Sequence, residues 1–258
     1  MDPRFFKIDY SGNLYIYERK NDRISILNNN GKYLGGFRLN RNLDFPFTLN
    51  NNNDIVINIP WNGYYITEYS KKGEIKKSIG KIKNLNENTP GVNEEFAEGW
   101  VFALENGNYY VFLQHLPITL VYNNNGILIE EIDMSHLPEI NSLLDLIKYI
   151  PPEKRKSTDG LRRRSTYAFY DQIIYRNNKF YCMFITIENR GKEDAYPGIY
   201  IYELDDKLRL LHIEVINTTK NISFYDFNIT HKVKMDLIDI ENEIYVTLPL
   251  SAKILKIY

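Results

Sequence analysis

The side chains from which a reactive centre would be built are few in this chain. There are four histidines, His115, His136, His212 and His231. None stands at an HxH or HExxH spacing, and a catalytic zinc ion takes about three protein ligands, so no metal is assigned. His115 follows one strand-like run and His231 precedes another, so both fall at element ends, where a polar group can meet a ligand. His136 lies beside a helical pattern, and His212 ends an outermost strand. A calcium site would ask for clustered carboxylates. Glu94, Glu95 and Glu98 form the one such cluster, which reads as a solvated charge run ahead of a calcium site. The single cysteine, Cys182, sits inside a strand pattern and cannot form an intramolecular disulfide. It is either a small buried hydrophobe or a nucleophile whose activating base the sequence does not reveal. No GxSxG, SxxK, GxGxxG or Walker-type arrangement is present, and no cofactor is assigned.

Residues suited to binding are better represented. Trp61, Tyr64 and Tyr65 stand at or just after one turn, and Trp100 opens a strand. Such rings stack on a sugar or a peptide ring, or they close the end of a core. The insertion carrying Lys154, Arg155 and Lys156 with Arg162, Arg163 and Arg164 is conspicuous in a chain of net charge −1. It would grip a phosphate, a carboxylate-bearing sugar or an acidic partner, or it is a solvated loop. No aromatics interleave with it, which argues against a nucleic-acid platform. The near-zero net charge offers no general attraction to nucleic acid or anionic lipid. No apolar run approaches the ~18–20 residues of a membrane span. The partner classes left are a small molecule, a glycan or a protein.

The elements that must carry these groups read as strands. Aromatics make up 14% of the 258 residues, with 21 Tyr. Such residues suit a pleated, half-buried surface. Residues 12–37, GNLYIYERKNDRISILNNNGKYLGGF, contain three strands separated by turns, and Asn-Gly supplies the positive φ of tight hairpins. Gly35-Gly36 within the last of them reads as a bulge or a close approach. With residues 5–9 in front, this is a four-stranded antiparallel meander: 5–9, 13–18, 23–27 and 32–37. The order recurs in 45–49, 54–59, 64–69 and 74–79, then in 100–105, 108–113, 118–122 and 127–132. A fourth unit is 167–175, 179–185, 199–204 and 208–213. A fifth, 234–240, 243–248 and 253–258, stops one strand short. The expectation is one all-β domain over residues 1–258, a radial array of four-stranded blades.

Connections between first and second strands, and between third and fourth, are short. The long ones, Lys81–Gly99, Asp133–Thr166, Glu188–Gly198 and Glu214–Val233, join fourth to first strands or second to third. These two types emerge at the same end of an up-and-down sheet, so insertions and any binding site are expected there. Leu137, Ile140, Leu143, Leu144, Ile147 and Ile150 recur at helical spacing ahead of Pro151-Pro152. They predict one inserted helix over residues 138–149, either a cap on sheet edges or a lid.

The first unit resembles the NHL-type repeat of six-bladed β-propellers. The features that carry the resemblance are Gly12-Asn13, Leu14-Tyr15-Ile16, Asn21-Asp22-Arg23-Ile24, Gly31-Lys32-Tyr33 and the closing Phe37. Units two and three follow in strand order and in the Gly73 and Gly126 turns. Units four and five follow only coarsely. The chain is similar to uncharacterised bacterial six-bladed propellers of this type, and the resemblance implies six blades where five are visible. A missing upstream blade, or a closed ring of five, would reconcile the count. Met1-Asp2-Pro3-Arg4 carries no export signal. The chain is therefore expected to be cytoplasmic, or exported if an upstream piece is missing. Related propellers include a zinc-dependent amidating lyase and calcium-dependent lactonases. The resemblance thus allows a binding module at the channel mouth or, alternatively, a hydrolase or lyase there.

Overall fold

The computed structural model describes residues 2–82, 96–141, 169–170, 172–188, 196–217, 245–248 and 253–256. The chain is all-β, of the propeller class. Among the described residues are four antiparallel four-stranded blades, one two-stranded hairpin and a short helical segment at residues 138–141. It divides into two compact units, Met1–Phe169 and Tyr170–Tyr258.

The first unit holds three blades. The first contains β1 (Pro3–Ile8), β2 (Leu14–Glu18), β3 (Arg23–Leu27) and β4 (Tyr33–Arg38). The second contains β5 (Thr48–Leu49), β6 (Ile55–Ile57), β7 (Tyr64–Tyr69) and β8 (Ile75–Lys81). The third contains β9 (Gly99–Ala103), β10 (Tyr109–Leu113), β11 (Ile118–Tyr122) and β12 (Leu128–Asp133). Every blade is a simple meander, each strand pairing with its sequence neighbour. Alternation along each strand points side chains to opposite faces, so one blade packs on the next. Tyr15, Tyr17, Ile24 and Ile26 of the first blade bury against Ile55, Ile57 and Tyr69 of the second. Val56, Ile66 and Ile79 on the other face of the second blade meet Val101, Val111 and Leu120 of the third. Each fully buried aliphatic side chain contributes about 1.5–3 kcal/mol, so these two seams hold the unit together.

One turn design closes most hairpins. At Asp9, Asn28, Asn50, Ser70 and Asn123 the side-chain oxygen accepts the N–H groups two and four residues on, at 2.8–3.2 Å. The N–H three residues on returns to the first residue's carbonyl. That residue is left-handed: Gly12, Gly31, Asn53, Gly73 and Gly126. A short polar side chain satisfies donors that would otherwise face outward, and the left-handed residue aligns the strands with their native twist. Gly36 serves a different need. A Cβ there would lie 2.2 Å from the Ile24 carbonyl oxygen, so close approach of β4 to β3 is its reason.

The second unit, taken by itself, holds β13 (Gln172–Arg176), β14 (Lys179–Glu188), β15 (Tyr196–Leu204) and β16 (Leu210–Asn217), followed by the hairpin β17 (Tyr245–Leu248) and β18 (Lys253–Lys256). Strands β14 and β15 pair out to Glu188↔Tyr196. Both ends of the expected insertion over Glu188–Gly198, residue 188 and residues 196–198, are therefore strand, because the apolar alternation of β14 runs past Ile185, and residues 189–195 lie outside the described residues. Likewise β16 extends to Asn217, into the stretch expected as a connection. The blade's third turn repeats the same design around Asp205, but the left-handed residue is Leu208, buried at 1% exposure. Cys182 is fully buried, and burial pushes its thiol pKa up, as for a packed hydrophobe rather than a nucleophile. The first strand expected for unit five lies outside the described residues, so the six-blade count implied by the resemblance is not met among them. Most of the expected helix also lies outside them; residues 138–141 are helical, with Leu137 and Ile140 buried.

Candidate functional site

In the first unit the six tight turns lie at one end of the blades. At the other end lie the second-to-third turns, the segment 39–47 that joins the first blade to the second, and the described flanks of the longer connections, residues 82, 96–98 and 134–141. Trp61, Tyr64, Trp100 and His115 all belong to this second end.

Trp61 is presented by a rigid turn. After β6 the chain makes a 3-10 turn at Pro60–Asn62, with proline preset for its first position. Gly63, at φ 80°, returns its N–H to the Pro60 carbonyl at 2.8 Å. The Gly63 carbonyl in turn accepts from Ile82 at 2.9 Å, tying the turn to the end of β8. Pro60 is buried while Trp61 stands 39% exposed at the tip. The Arg41 guanidinium lies over the Trp61 ring, 4.2 Å from its centroid.

The segment bearing Arg41 is pinned from beneath. Leu39 donates its N–H to the Asp22 carbonyl at 2.6 Å, and Leu43 donates to the Tyr17 hydroxyl at 2.9 Å. That hydroxyl donates to Asp22 at 3.1 Å, and Arg4 reaches the Leu43 carbonyl at 2.7 Å. The Asn42 amide, with its nitrogen turned inward, donates to the Asp22 carboxylate and the Arg19 carbonyl at 2.6 and 3.1 Å. Burial raises the Tyr17 phenol to about 12, with the Leu43 N–H opposing part of that rise, so it stays a neutral hinge for this segment. Arg19, Lys20, Arg38 and Arg41 are all exposed, and Arg41 is the one that lies against Trp61. Of the carboxylates nearby, Asp22 is half-buried within the network just described, and Asp44 lies 3.8 Å from Arg4.

The third blade adds buried groups. Trp100 is only 5% exposed and packs edge-on against Phe45, centroids 4.7 Å apart. It sits in the core rather than on a wall open to solvent, because the segment before β5 folds Phe45 over it. Phe45 was expected within the second blade's first strand; β5 is limited to Thr48–Leu49, which frees Phe45 for this contact. His115 is 9% and Glu98 3% exposed, and the Gln114 N–H donates to the Glu98 carbonyl at 2.9 Å, so both lie at this end of the third blade. Asn58, unremarked in the sequence, is the splice between blades. Its Nδ2 donates to the Tyr65 and Ala97 carbonyls at 2.8 and 3.0 Å, and its Oδ1 accepts from Gly99 at 2.9 Å. An Asn directly after an Ile-Val-Ile run and ahead of Ile-Pro was the available signal.

Tyr64 opens β7, half-buried, opposite Lys81. Arg162, Arg163, Arg164 and His231 lie outside the described residues, as do Glu94 and Glu95. Among the described residues no three metal-ligating side chains come together, and no helix is long and apolar enough to cross a membrane. His136 keeps its Nδ1 3.0 Å from the Asp133 carbonyl, and His212 lies 3.6 Å from Glu214.

No family model matches the sequence, and no curated protein matches it. Solved structures do. A protein of unknown function from Bacteroides caccae covers 83% of this chain over 67% of its own, at 12% identity and a TM-score of 0.49. Virginiamycin B lyase from Staphylococcus aureus covers 99% over 69% of its own, at 13% identity and a TM-score of 0.46. BamB from Moraxella catarrhalis covers 94% over 65% of its own, at 10% identity and a TM-score of 0.40.

Proposed function

We propose that this chain is a ligand-binding β-propeller of the NHL-repeat type, and that it binds at the end of its first unit opposite the tight turns. The observation that carries the reading is Trp61. A large apolar ring is left in solvent on a turn whose own hydrogen bonds fix it, and a rigid exposed aromatic is a low-entropy contact for a ring-bearing ligand. Tyr64, Trp100 and His115 belong to the same proposed site. Trp100 serves as its packed floor, while Tyr64 and His115 line the approach. Arg162, Arg163 and Arg164 are proposed to add charge to this site, and His231 is proposed as a polar binding residue of the second unit.

A second reading, a hydrolase or lyase at this end, draws on Glu98 and His115. A buried carboxyl and a buried imidazole on adjoining strand ends are the types that general acid–base chemistry uses.

A small-molecule and glycan library screened by thermal shift against wild type and Trp61→Ala tests the first reading. A ligand that stabilises wild type but not the variant supports it. Ligands that stabilise both equally would remove Trp61 from the site. Turnover of any bound ligand that is lost in both Glu98→Gln and His115→Gln would favour the second reading.

A further inference from the structure

We propose that the Arg41–Trp61 pair is a subsite for an acidic saccharide, a sugar ring bearing a carboxylate; this rests on the binding role given to Trp61 above. Three features of the pair select that chemistry. The guanidinium lies over the indole, its carbon 4.2 Å from the ring centroid. Among the described residues the Arg41 side chain donates to no carbonyl or carboxylate, and its N–H fork matches a carboxylate with two parallel hydrogen bonds. Arg41 forms no ion pair among the described residues. Trp61, 39% exposed as a residue, offers apolar surface to the C–H face of a ring.

Both partners are preorganised from opposite sides. Trp61 is set by the Pro60–Asn62 turn and its Gly63 cap. Arg41 is set by the hydrogen bonds that flank it, Leu39 to Asp22 and Leu43 to Tyr17. A carboxylate bound at Arg41 therefore lies beside a ring stacked on Trp61 without reordering of either segment. A neutral sugar would use only the indole, and a compact anion only the guanidinium. A ligand that combines ring and carboxylate uses both.

The experiment is titration with tetramers of galacturonate, glucuronate and mannuronate, with a neutral tetrasaccharide and with inorganic phosphate, read by calorimetry and by tryptophan emission. Trp61 and Trp100 are the two indoles, and Trp61→Phe assigns the signal. At least one uronate tetramer should bind at least about tenfold more tightly than the neutral tetramer, and added salt should weaken it. Trp61→Ala and Arg41→Ala should each lower that affinity about tenfold or more, and Arg41→Lys, which keeps the charge and loses the fork, should lower it too. Unchanged thermal melts of these exposed-site variants separate lost contacts from lost fold. Failure of all three uronates to bind, or binding indifferent to Arg41, would overturn the acidic-saccharide class. If a neutral ligand still depends on Trp61, the broader binding proposal survives that result. If nothing depends on Trp61, both fall.

Discussion

Asn58 of the second blade accepts the Gly99 N–H of the third at 2.9 Å, and its amide nitrogen donates to the Tyr65 and Ala97 carbonyls on either side of that seam. One buried side chain thus satisfies three backbone groups where the connection 82–98 returns to β9. Replacing it with alanine strands those groups away from water, each at a cost of ~1–3 kcal/mol. Asn58→Ala is expected to lower unfolding stability by about 2–4 kcal/mol in urea titration. Asn51→Ala, which removes a single exposed hydrogen bond to the Glu105 carbonyl, should cost less than about 1 kcal/mol. Equal effects would show that the splice carries no special weight.

Gly99 itself is constrained by contact. A Cβ there would lie 1.9 Å from the Phe112 carbonyl oxygen of the paired strand, and backbone cannot swing aside as a flexible side chain can. Gly99→Ala should therefore cost at least about 2–3 kcal/mol by forcing β9 from β10. A two-dimensional NMR spectrum would place the shifted resonances along these two strands if the cause is local.

The left-handed turn positions make a paired prediction. Asn53 and Leu208 occupy the same place in their turns, at φ 59° and 58°. Asn53→Gly relieves a conformation that an L residue adopts at a cost of ~1 kcal/mol, so stability should hold or rise slightly. Leu208→Gly gains the same relief, but loses a side chain buried at 1% exposure. Large-to-small changes at such sites cost ~2–5 kcal/mol, so the net effect should be a clear loss. Opposite signs in thermal melts are the expected outcome.

How far the sequence discloses this molecule follows from the same positions. Turns at Asn28 and Asn123 are legible because Asn and Gly sit where side-chain acceptor and positive φ are both needed. The turn at Asp205 hides its left-handed residue behind a leucine, since burial outweighs local preference there. Strand order in the first three blades was readable from alternation. The ends of β14 and β15 were not, because Tyr196 and Pro197 resemble loop residues until the pairing with Glu188 and Ile187 is seen. At the candidate site, Trp61 could be picked out as a turn aromatic. Its partner Arg41 could not, because the cation–π contact joins the connecting segment 39–47 to a turn of the second blade. Trp100 looked equally available, but it is buried, with Phe45 arriving from a distant segment to pack against it.

The last prediction concerns acid. Glu18, 8% exposed, accepts a 2.6 Å hydrogen bond from the Ser25 hydroxyl and a second from Asn21 at 3.1 Å. The Ser25 bond is the main force holding its pKa below the ordinary 4.5, ahead of the burial that opposes it. A carboxyl whose folded pKa is depressed contributes stability that is fully present above its unfolded value and is lost as pH falls through the folded one. Wild-type stability should therefore begin to decline as pH drops below about 4.5, the unfolded value, and go on falling through the lower folded pKa. Ser25→Ala removes the first-ranked cause and leaves a buried carboxylate short of a donor. At pH 7 it should cost about 1.5–3 kcal/mol, the scale of a hydrogen bond to a charged group. Toward pH 3 the difference between wild type and variant should shrink, because protonated Glu18 no longer draws the same benefit from Ser25. Urea titrations of both proteins at pH 7, 5 and 3.5 would measure this convergence, and a gap that stays constant across the series would mean that the Ser25 bond does not act through the ionised carboxylate.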